Sequence, residues 1–422
     1  MQHSAYILNA LRTPIGSSFK SLKNFTAGQL GAVVIREIVR RQKVKKDAIE
    51  EVIFGNTVGA GTGQNLARQA AVAGGLAVST PAYTVNNVCG AGLQSTFLAV
   101  QAIQSANASL ILAGGAESAT HCPRFLTEAK STGLPVDLAA VLARGFMPRA
   151  SGDPKGRPLT ALEKSAHPPA PQESLAYDGL FCQISGQRMG DLAEWLARDS
   201  NISRQEQDQF SLESQQKAVA AQAQGKFRKE IVPIKIFPNE FLKEDERPRT
   251  NIKIKTLASL PAAFIKEGSV TAGNSSIPSD GAAAVLVGSE TIVKRHHSRP
   301  LAKILSFAAV AVEPHKVFTA AVPAIEKCLK RCQLSLKDID LFEISEAFAV
   351  QAIYAQQKLD IPQKKINIYG GDIALGHPLG AAGTRILVTL THALIQEGKQ
   401  RGLACICLGG GGGLAIIIER VN

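Results

Sequence analysis

The chain has 422 residues, 45% hydrophobic and 19% charged, with a net charge of +12 at pH 7. That length supports roughly two or three domains with sizeable cores. No long apolar run, and no basic segment followed by an apolar one at the N-terminus, argues for a membrane span or a secretory leader. Aromatic residues make up only 5% and interleave with no basic patch, so a nucleic-acid module is not expected and a phosphate-bearing small molecule suits the positive charge better.

In chain order, residues 6–10 read as a strand, 12–16 as a loop and 27–41 as an amphipathic helix with Leu30, Val33, Val34 and Ile38 on one side. A strand at 52–56, a glycine-rich loop at 59–63, a helix at 65–73 and a strand at 81–85 follow. Next comes Asn86-Asn87-Val88-Cys89-Gly90-Ala91-Gly92, then a helix at 93–105 and an apolar strand at 110–113 that stops at Gly114-Gly115-Ala116-Glu117-Ser118. Strands alternating with helices predict a largely parallel α/β sheet covered on both faces.

From 121 to about 249 the texture changes. Residues 132–171 are rich in Gly, Pro and Arg and read as an excursion, with a short helix at 138–144; better helices are expected at 190–199 and 204–225, the second opened by a Ser203/Glu206 capping box. The α/β texture then returns, with apolar or strand-like runs at 282–287, 301–310, 341–344, 403–408 and 414–419, and helices at 320–332, 346–358 and 382–396.

Seven cysteines, odd in number and without paired CxxC spacing, make neither a disulfide framework nor a zinc site; no metal and a reducing cytoplasm are expected. Cys89 falls at a helix start, where free backbone N–H groups and the helix dipole favour a thiolate. Taken alone, it could equally be a packed thiol. Gly376-His377-Pro378-Leu379-Gly380 sets an imidazole in a glycine-flanked turn before a helix, and Cys407 ends a strand before five glycines, Gly409 to Gly413. Each has its own structural reading: a satisfied histidine, or a buried strand cysteine. The glycine run lacks the GxxxxGK[ST] order of a nucleotide-triphosphate loop. The Cys89 and His377 segments are each followed by a helix, an apolar strand and paired glycines, which suggests a duplicated α/β unit.

Together the segments 12–16, 87–92, 114–118, 267–276, 343–349, 376–380 and 407–411 resemble, in order and over essentially the whole chain, the thiolase family, acyltransferases that make or cleave 3-oxoacyl-CoA. The resemblance implies an αβαβα fold of two similar halves, 1–120 with 251–292 and 293–422, around an inserted loop domain at 121–250 that serves CoA binding and oligomer contacts. It makes Cys89 the acyl-accepting nucleophile, His377 its activator and Cys407 the acid–base thiol. Backbone N–H groups of Cys89 and Gly409 would form one oxyanion site and His377 part of another. Met189, Ala347 and Phe348 would line the thioester pocket, Ala272 and Ser276 would face pantetheine, Phe264 would pack near the cofactor, and Arg249 would lie near the nucleotide end.

The pattern departs at Ser345, where asparagine or histidine is usual, and at Arg188, where histidine is common. A serine at 345 would reach the enolate side only through a water, and Ser345→Asn would preserve or raise activity. The resemblance implies a cytoplasmic homodimer or homotetramer of fatty-acid metabolism, β-oxidation included. It would use coenzyme A and acyl-CoA as substrates and hold no permanently bound cofactor. Three other readings are a catalytically silent CoA- or lipid-binding homologue, a degradative longer-chain 3-ketoacyl-CoA thiolase, and a 3-oxoacyl-carrier-protein synthase, the last disfavoured by Cys407.

Overall fold

The computed structural model describes residues 4–125, 172–295 and 299–421. Strands β1 (Ala5–Arg12), β2 (Glu51–Gly55), β3 (Ala82–Val85), β4 (Leu110–Ser118) and β5 (Ser279–Ser289) lie in the order β3-β2-β4-β5-β1. Strands β6 (Ala302–Ala311), β7 (Leu341–Ile344), β8 (Arg401–Leu408) and β9 (Gly412–Arg420) repeat it as β7-β8-β9-β6, and a parallel bridge from Phe342 to Ile366 stands where β3 stands in the first half. A short pairing of β1 with β6, Tyr6 opposite Lys303 and Ile7 opposite Ala302, joins the halves.

Alternation along the strands divides the interior into three cores. In β5, Ala283, Val285 and Val287 face a central core; Ala282, Ala284 and Leu286 face an outer one built with helices α1 (Ala27–Gln42) and α2 (Leu66–Ala73). In β8, Ala404 and Ile406 face the centre, while Leu403 and Cys405 face the second outer core. The central core is filled by α3 (Ala91–Gln104) and by a helix that is buried from Leu379 to Leu394. Before that last helix, α8 (Leu379–Gln396), come α4 (Met189–Asp199), α5 (Arg204–Ala223), α6 (Ala321–Arg331) and α7 (Ala349–Leu359). Helices α4, α6 and α7 close the second outer core, which completes αβαβα layering. Apolar residues recur on every side of α8, so it packs between the two half-sheets, and its polar side chains before Leu394, Arg385 among them, are buried with it.

Several expectations are corrected. The sheet is mixed rather than largely parallel: β2/β3, β2/β4 and β7/β8 are parallel, but β1/β5, β4/β5, β1/β6, β6/β9 and β8/β9 are antiparallel. The physical reason is plain at β8 and β9, where a tight turn with Gly410 and Gly411 at positive φ can only return the chain antiparallel. Strand β4 does not stop at residue 113; Gly114 and Gly115 keep pairing with Ala284 and Ala283. Arg12 belongs to β1 rather than a loop and is buried, donating to Glu230 at 2.6 Å and Asp245 at 2.7 Å. Helix α7 begins at Ala349 rather than 346, because the Glu346 side chain is buried and bonded to Ser214 and Asn367. Leu30, Val34 and Ile38 are buried as read, Val33 packs partly buried against the same core, and Ile35 joins them. The Ser203 capping box is present. The excursion at 132–171 and its helix at 138–144 lie outside the described residues.

Helices α3 and α8 approach closely because glycines face the crossing. A Cβ on Gly92 would lie 2.8 Å from the Gly380 carbonyl oxygen, one on Gly383 2.8 Å from the Leu93 nitrogen, and one on Gly115 2.0 Å from the Gly380 oxygen. At Gly115 every close atom is backbone and cannot give way, so Gly115→Ala is expected to destabilise the fold by about 1–3 kcal/mol or more. Gly59→Ala, whose Cβ would meet nothing nearer than 3.8 Å, should stay within about 0.5 kcal/mol of the parent; urea unfolding of the two variants measures the contrast.

Candidate active site

Strand β3 delivers the chain to Asn86-Asn87-Val88-Cys89, and Gly90 caps α3. Val88 has a φ of +48°, a conformation that a β-branched residue adopts only when its surroundings impose it. Those surroundings are explicit. The Val88 N–H donates to Asn86 Oδ1 at 3.0 Å, Thr57 Oγ1 donates to the Val88 carbonyl at 3.0 Å, and Asn86 Nδ2 donates to the Thr57 carbonyl at 2.9 Å. Cys89 thus sits half-exposed on a braced elbow ahead of a buried helix. Gly90 has no room for a side chain, since its Cβ would lie 2.6 Å from Leu408 Cδ2.

His377 occupies the matching place before α8. Gly376 turns the chain at φ +102°, and a Cβ there would meet Ser279 Oγ at 2.5 Å. The His377 N–H donates to the Ile277 carbonyl at 3.0 Å, and its own carbonyl accepts from the Ser279 N–H at 3.2 Å. The imidazole is buried, and Nδ1 lies 3.4 Å from Asp372 Oδ2, a charge contact longer than a hydrogen bond. Burial opposes protonation of the ring, but the Asp372 carboxylate outweighs it, helped by Cys89, and pushes the imidazole up to about 10.

Cys407 is the penultimate residue of β8. Its thiol is buried and pushed up to about 12 by that burial, so it holds its proton at neutral pH. Cys89, His377, Cys407 and Gly409 all line one cavity of about 710 Å³. Three further elements supply its apolar wall. Phe264 and Phe318 stack edge-on against Phe348, with centroids 6.0 and 5.1 Å away, and Met189, Ser276 and Ala347 complete it. Arg188 lies on the rim, paired with Asp191 at 2.7 Å and bonded to the Phe264 carbonyl at 2.8 Å.

Not every expected residue lies there. Ala272 and Arg249 are exposed and absent from the cavity wall. Ser345 is buried behind it, with Oγ donating to Asp372 Oδ2 at 2.5 Å. Its hydroxyl is engaged inward, so an asparagine at 345 would add bulk beside Asp372 rather than reach a substrate.

Two acids escaped the sequence reading. Glu117, in a quoted motif but without a role, is buried and accepts from Asn56 Nδ2 at 2.8 Å and from the N–H groups of Thr57 and Gly380 at 2.9 Å each, tying the nucleophile side to the start of α8. Asp372 follows the Gly370-Gly371 turn; an acid five residues before a glycine-flanked histidine was the available signal. Tyr177, Leu180 and Phe181, also on the wall, carry no motif at all.

The geometry gathers a partly exposed cysteine, a buried histidine and a second, protonated thiol around one largely apolar cavity. The family models for the thiolase N-terminal and C-terminal domains match residues 5–291 and 298–420. An acetyl-CoA acetyltransferase of Escherichia coli K12 is 41% identical over 419 residues, 99% of both chains, and a probable acetyl-CoA acetyltransferase of the same organism is 40% identical over 417 residues, 98% of both. Among solved structures, the Bacillus anthracis acetyl-CoA acetyltransferase matches with a TM-score of 0.88 and 34% identity, covering 100% of this chain and 99% of its own. Human mitochondrial 3-ketoacyl-CoA thiolase in complex with CoA gives 0.87 and 34%, covering 100% and 98%. The chain belongs to the thiolase family.

The raised imidazole has a consequence for stability. A group whose folded value lies above its unfolded value of about 6.5 stabilises the fold fully below that pH and loses the contribution as pH rises through the folded value, here about 10. The thermal midpoint is therefore expected to fall more steeply between about pH 6.5 and about pH 10 in the parent than in His377→Gln, as calorimetry at several pH values would record.

Proposed function

We propose that the protein is an acyl-CoA C-acyltransferase that forms or cleaves 3-oxoacyl-CoA, such as acetoacetyl-CoA, by a ping-pong route through acylated Cys89. The observation that carries the reading is that Cys89, His377 and Cys407, from three separate stretches of chain, line a single cavity.

In the cleavage direction the Cys89 sulfur attacks the 3-oxo carbonyl, and its proton resides on His377. The C2–C3 bond then breaks, leaving an acyl group on sulfur and an acetyl-CoA enolate, which takes a proton from the Cys407 thiol. Incoming CoA gives its thiol proton to the Cys407 thiolate, and its sulfur takes the acyl group from Cys89, which leaves as a thiolate beside the protonated His377. Condensation is the reverse, with Cys407 as base. Negative charge gathers on a carbonyl oxygen at each stage. The N–H groups of Cys89 and Gly409 suit one such oxygen, and the protonated His377 another. Burial serves this scheme: an acid that must deliver its proton only to a bound enolate should not lose it to water first.

Coenzyme A and acyl-CoA are substrates in this reading, with no permanently held cofactor. Met189, Phe264, Ser276, Ala347 and Phe348 flank the pantetheine and thioester. Arg249 and Ala272, outside the cavity, are assigned at most to the outer reaches of CoA. A cytoplasmic homodimer or homotetramer is the proposed working form, and a short acyl chain the proposed preference; faster turnover of long-chain than of acetoacetyl substrates would move the assignment to β-oxidation of longer chains.

Mass spectrometry after incubation with acetyl-CoA tests the reading: an acetyl adduct is expected on Cys89 and none in Cys89→Ala, whose turnover should fall on the order of 10³-fold or more. Retained CoA binding without any adduct in the parent would make the protein a silent homologue. Cys407→Ala is expected to keep the acetyl adduct but lose about 10²–10⁴-fold in the carbon–carbon step, as single-turnover kinetics would separate.

A further inference from the structure

Behind the cavity lie three buried carboxyl groups, Glu343, Glu346 and Asp372; the Arg385 guanidinium pairs with Glu343 and Asp372, and the Glu346 N–H donates to Asp372. Arg385 and the protonated His377 together fall one charge short of three anions in a dry interior, so the carboxyls must divide protons unequally. The partners show how. Asp372 takes the shorter contact with Arg385, 2.6 Å against 3.5 Å for Glu343. It also accepts from Ser345 Oγ at 2.5 Å and from the Glu346 N–H at 3.0 Å. Burial raises Glu346 and pushes Glu343 up to about 8, whereas Arg385 and His377 override burial and hold Asp372 well below the usual carboxylate range. The negative charge of the cluster therefore rests on Asp372, whose Oδ2 points at His377 Nδ1.

We propose that Asp372, braced by Ser345 and charge-balanced by Arg385, is a positioning residue that holds His377 with Nδ1 toward the carboxylate and Nε2 toward Cys89, so that the site works as a Cys89–His377–Asp372 relay. This rests on the reading of Cys89 as the acyl carrier. His377 has no hydrogen-bond partner for either ring nitrogen among the described residues, although the ring is buried. Asp372 is the carboxylate within reach of Nδ1, and Cys89 the thiol that interacts with the ring. With the ring protonated, the 3.4 Å contact is an imidazolium–carboxylate pair, and that attraction favours the small shift that would close it to a hydrogen bond. Ser345 then acts through Asp372, not on the substrate: its hydroxyl fixes the oxygen that faces the histidine.

The charged and titratable groups around the pair are Cys89 and Cys407 from the cavity side, Glu343 and Glu346 from the end of β7, Arg385 from α8, and Arg247, whose Cδ lies beside Gly376. Glu343 is the control, since it shares Arg385 but does not contact His377. In Asp372→Asn, an amide facing Nδ1 favours the wrong tautomer. The rate of Cys89 acetylation by acetyl-CoA is expected to drop about 10²–10⁴-fold. Nitrogen-15 NMR should show the His377 titration midpoint moving down by at least one pH unit. Ser345→Ala should lose about tenfold in acetylation with a smaller downward shift. Glu343→Gln should stay within about threefold with little shift.

An unchanged His377 midpoint in both Asp372→Asn and Ser345→Ala would overturn the proposal, as would equal losses in Asp372→Asn and Glu343→Gln, which would mean that Asp372 only neutralises Arg385. If Asp372→Asn does not fold, the Ser345→Ala and Glu343→Gln pair decides by the same two readouts. The NMR midpoint needs no acyl-CoA chemistry, so a parent enzyme that forms no acetyl adduct would sink the functional reading while this measurement still judged the relay.

Discussion

The close crossing of α3 and α8 is the constraint on which the rest depends. Two helices packed through ordinary side chains sit about 8–10 Å apart; here glycines at 92 and 383 remove the side chains, and Gly115 admits the Gly380 carbonyl to the surface of β4. The N-terminal ends of the helices carry the Cys89 and His377 loops. Glu117 reinforces the same junction by accepting from the Gly380 N–H and from the loop after β2. A site assembled from two halves of a duplicated fold is only as well placed as this seam, and backbone-to-backbone contact leaves little freedom for it to slide.

Burial then assigns the chemistry. The same low-dielectric interior raises a thiol at Cys407, where no cation compensates, and raises an imidazole at His377, where Asp372 does. Two side chains thereby hold protons at neutral pH for opposite reasons, and of the three only Cys89 is partly exposed. Phe264, Phe318 and Phe348 line the same cavity with an apolar wall.

Much of the local structure was legible. Helix and strand positions agree to within a few residues where periodicity was strong, and the Ser203 cap and the repeated order of elements are as read. Strand direction was not legible, because alternation of strands and helices says nothing about which way the chain returns after a long excursion or a glycine turn. Ser345 was misplaced for a related reason: a motif position shows which residue is unusual, not which way its hydroxyl points. Arg249 and Ala272 fell outside the cavity because similarity of sequence does not measure exposure.

The sequence by itself singled out Cys89, His377 and Cys407 as candidates, since those residue types stand in glycine-flanked settings and in the order that the family shares. Tertiary structure alone decided that the three share a cavity, which carboxyl of a buried cluster keeps the charge, and that Asp372 and Ser345 stand behind His377. Protonation and orientation depend on desolvation and on neighbours distant in the chain, such as Arg385 against Glu343, and no local pattern encodes either.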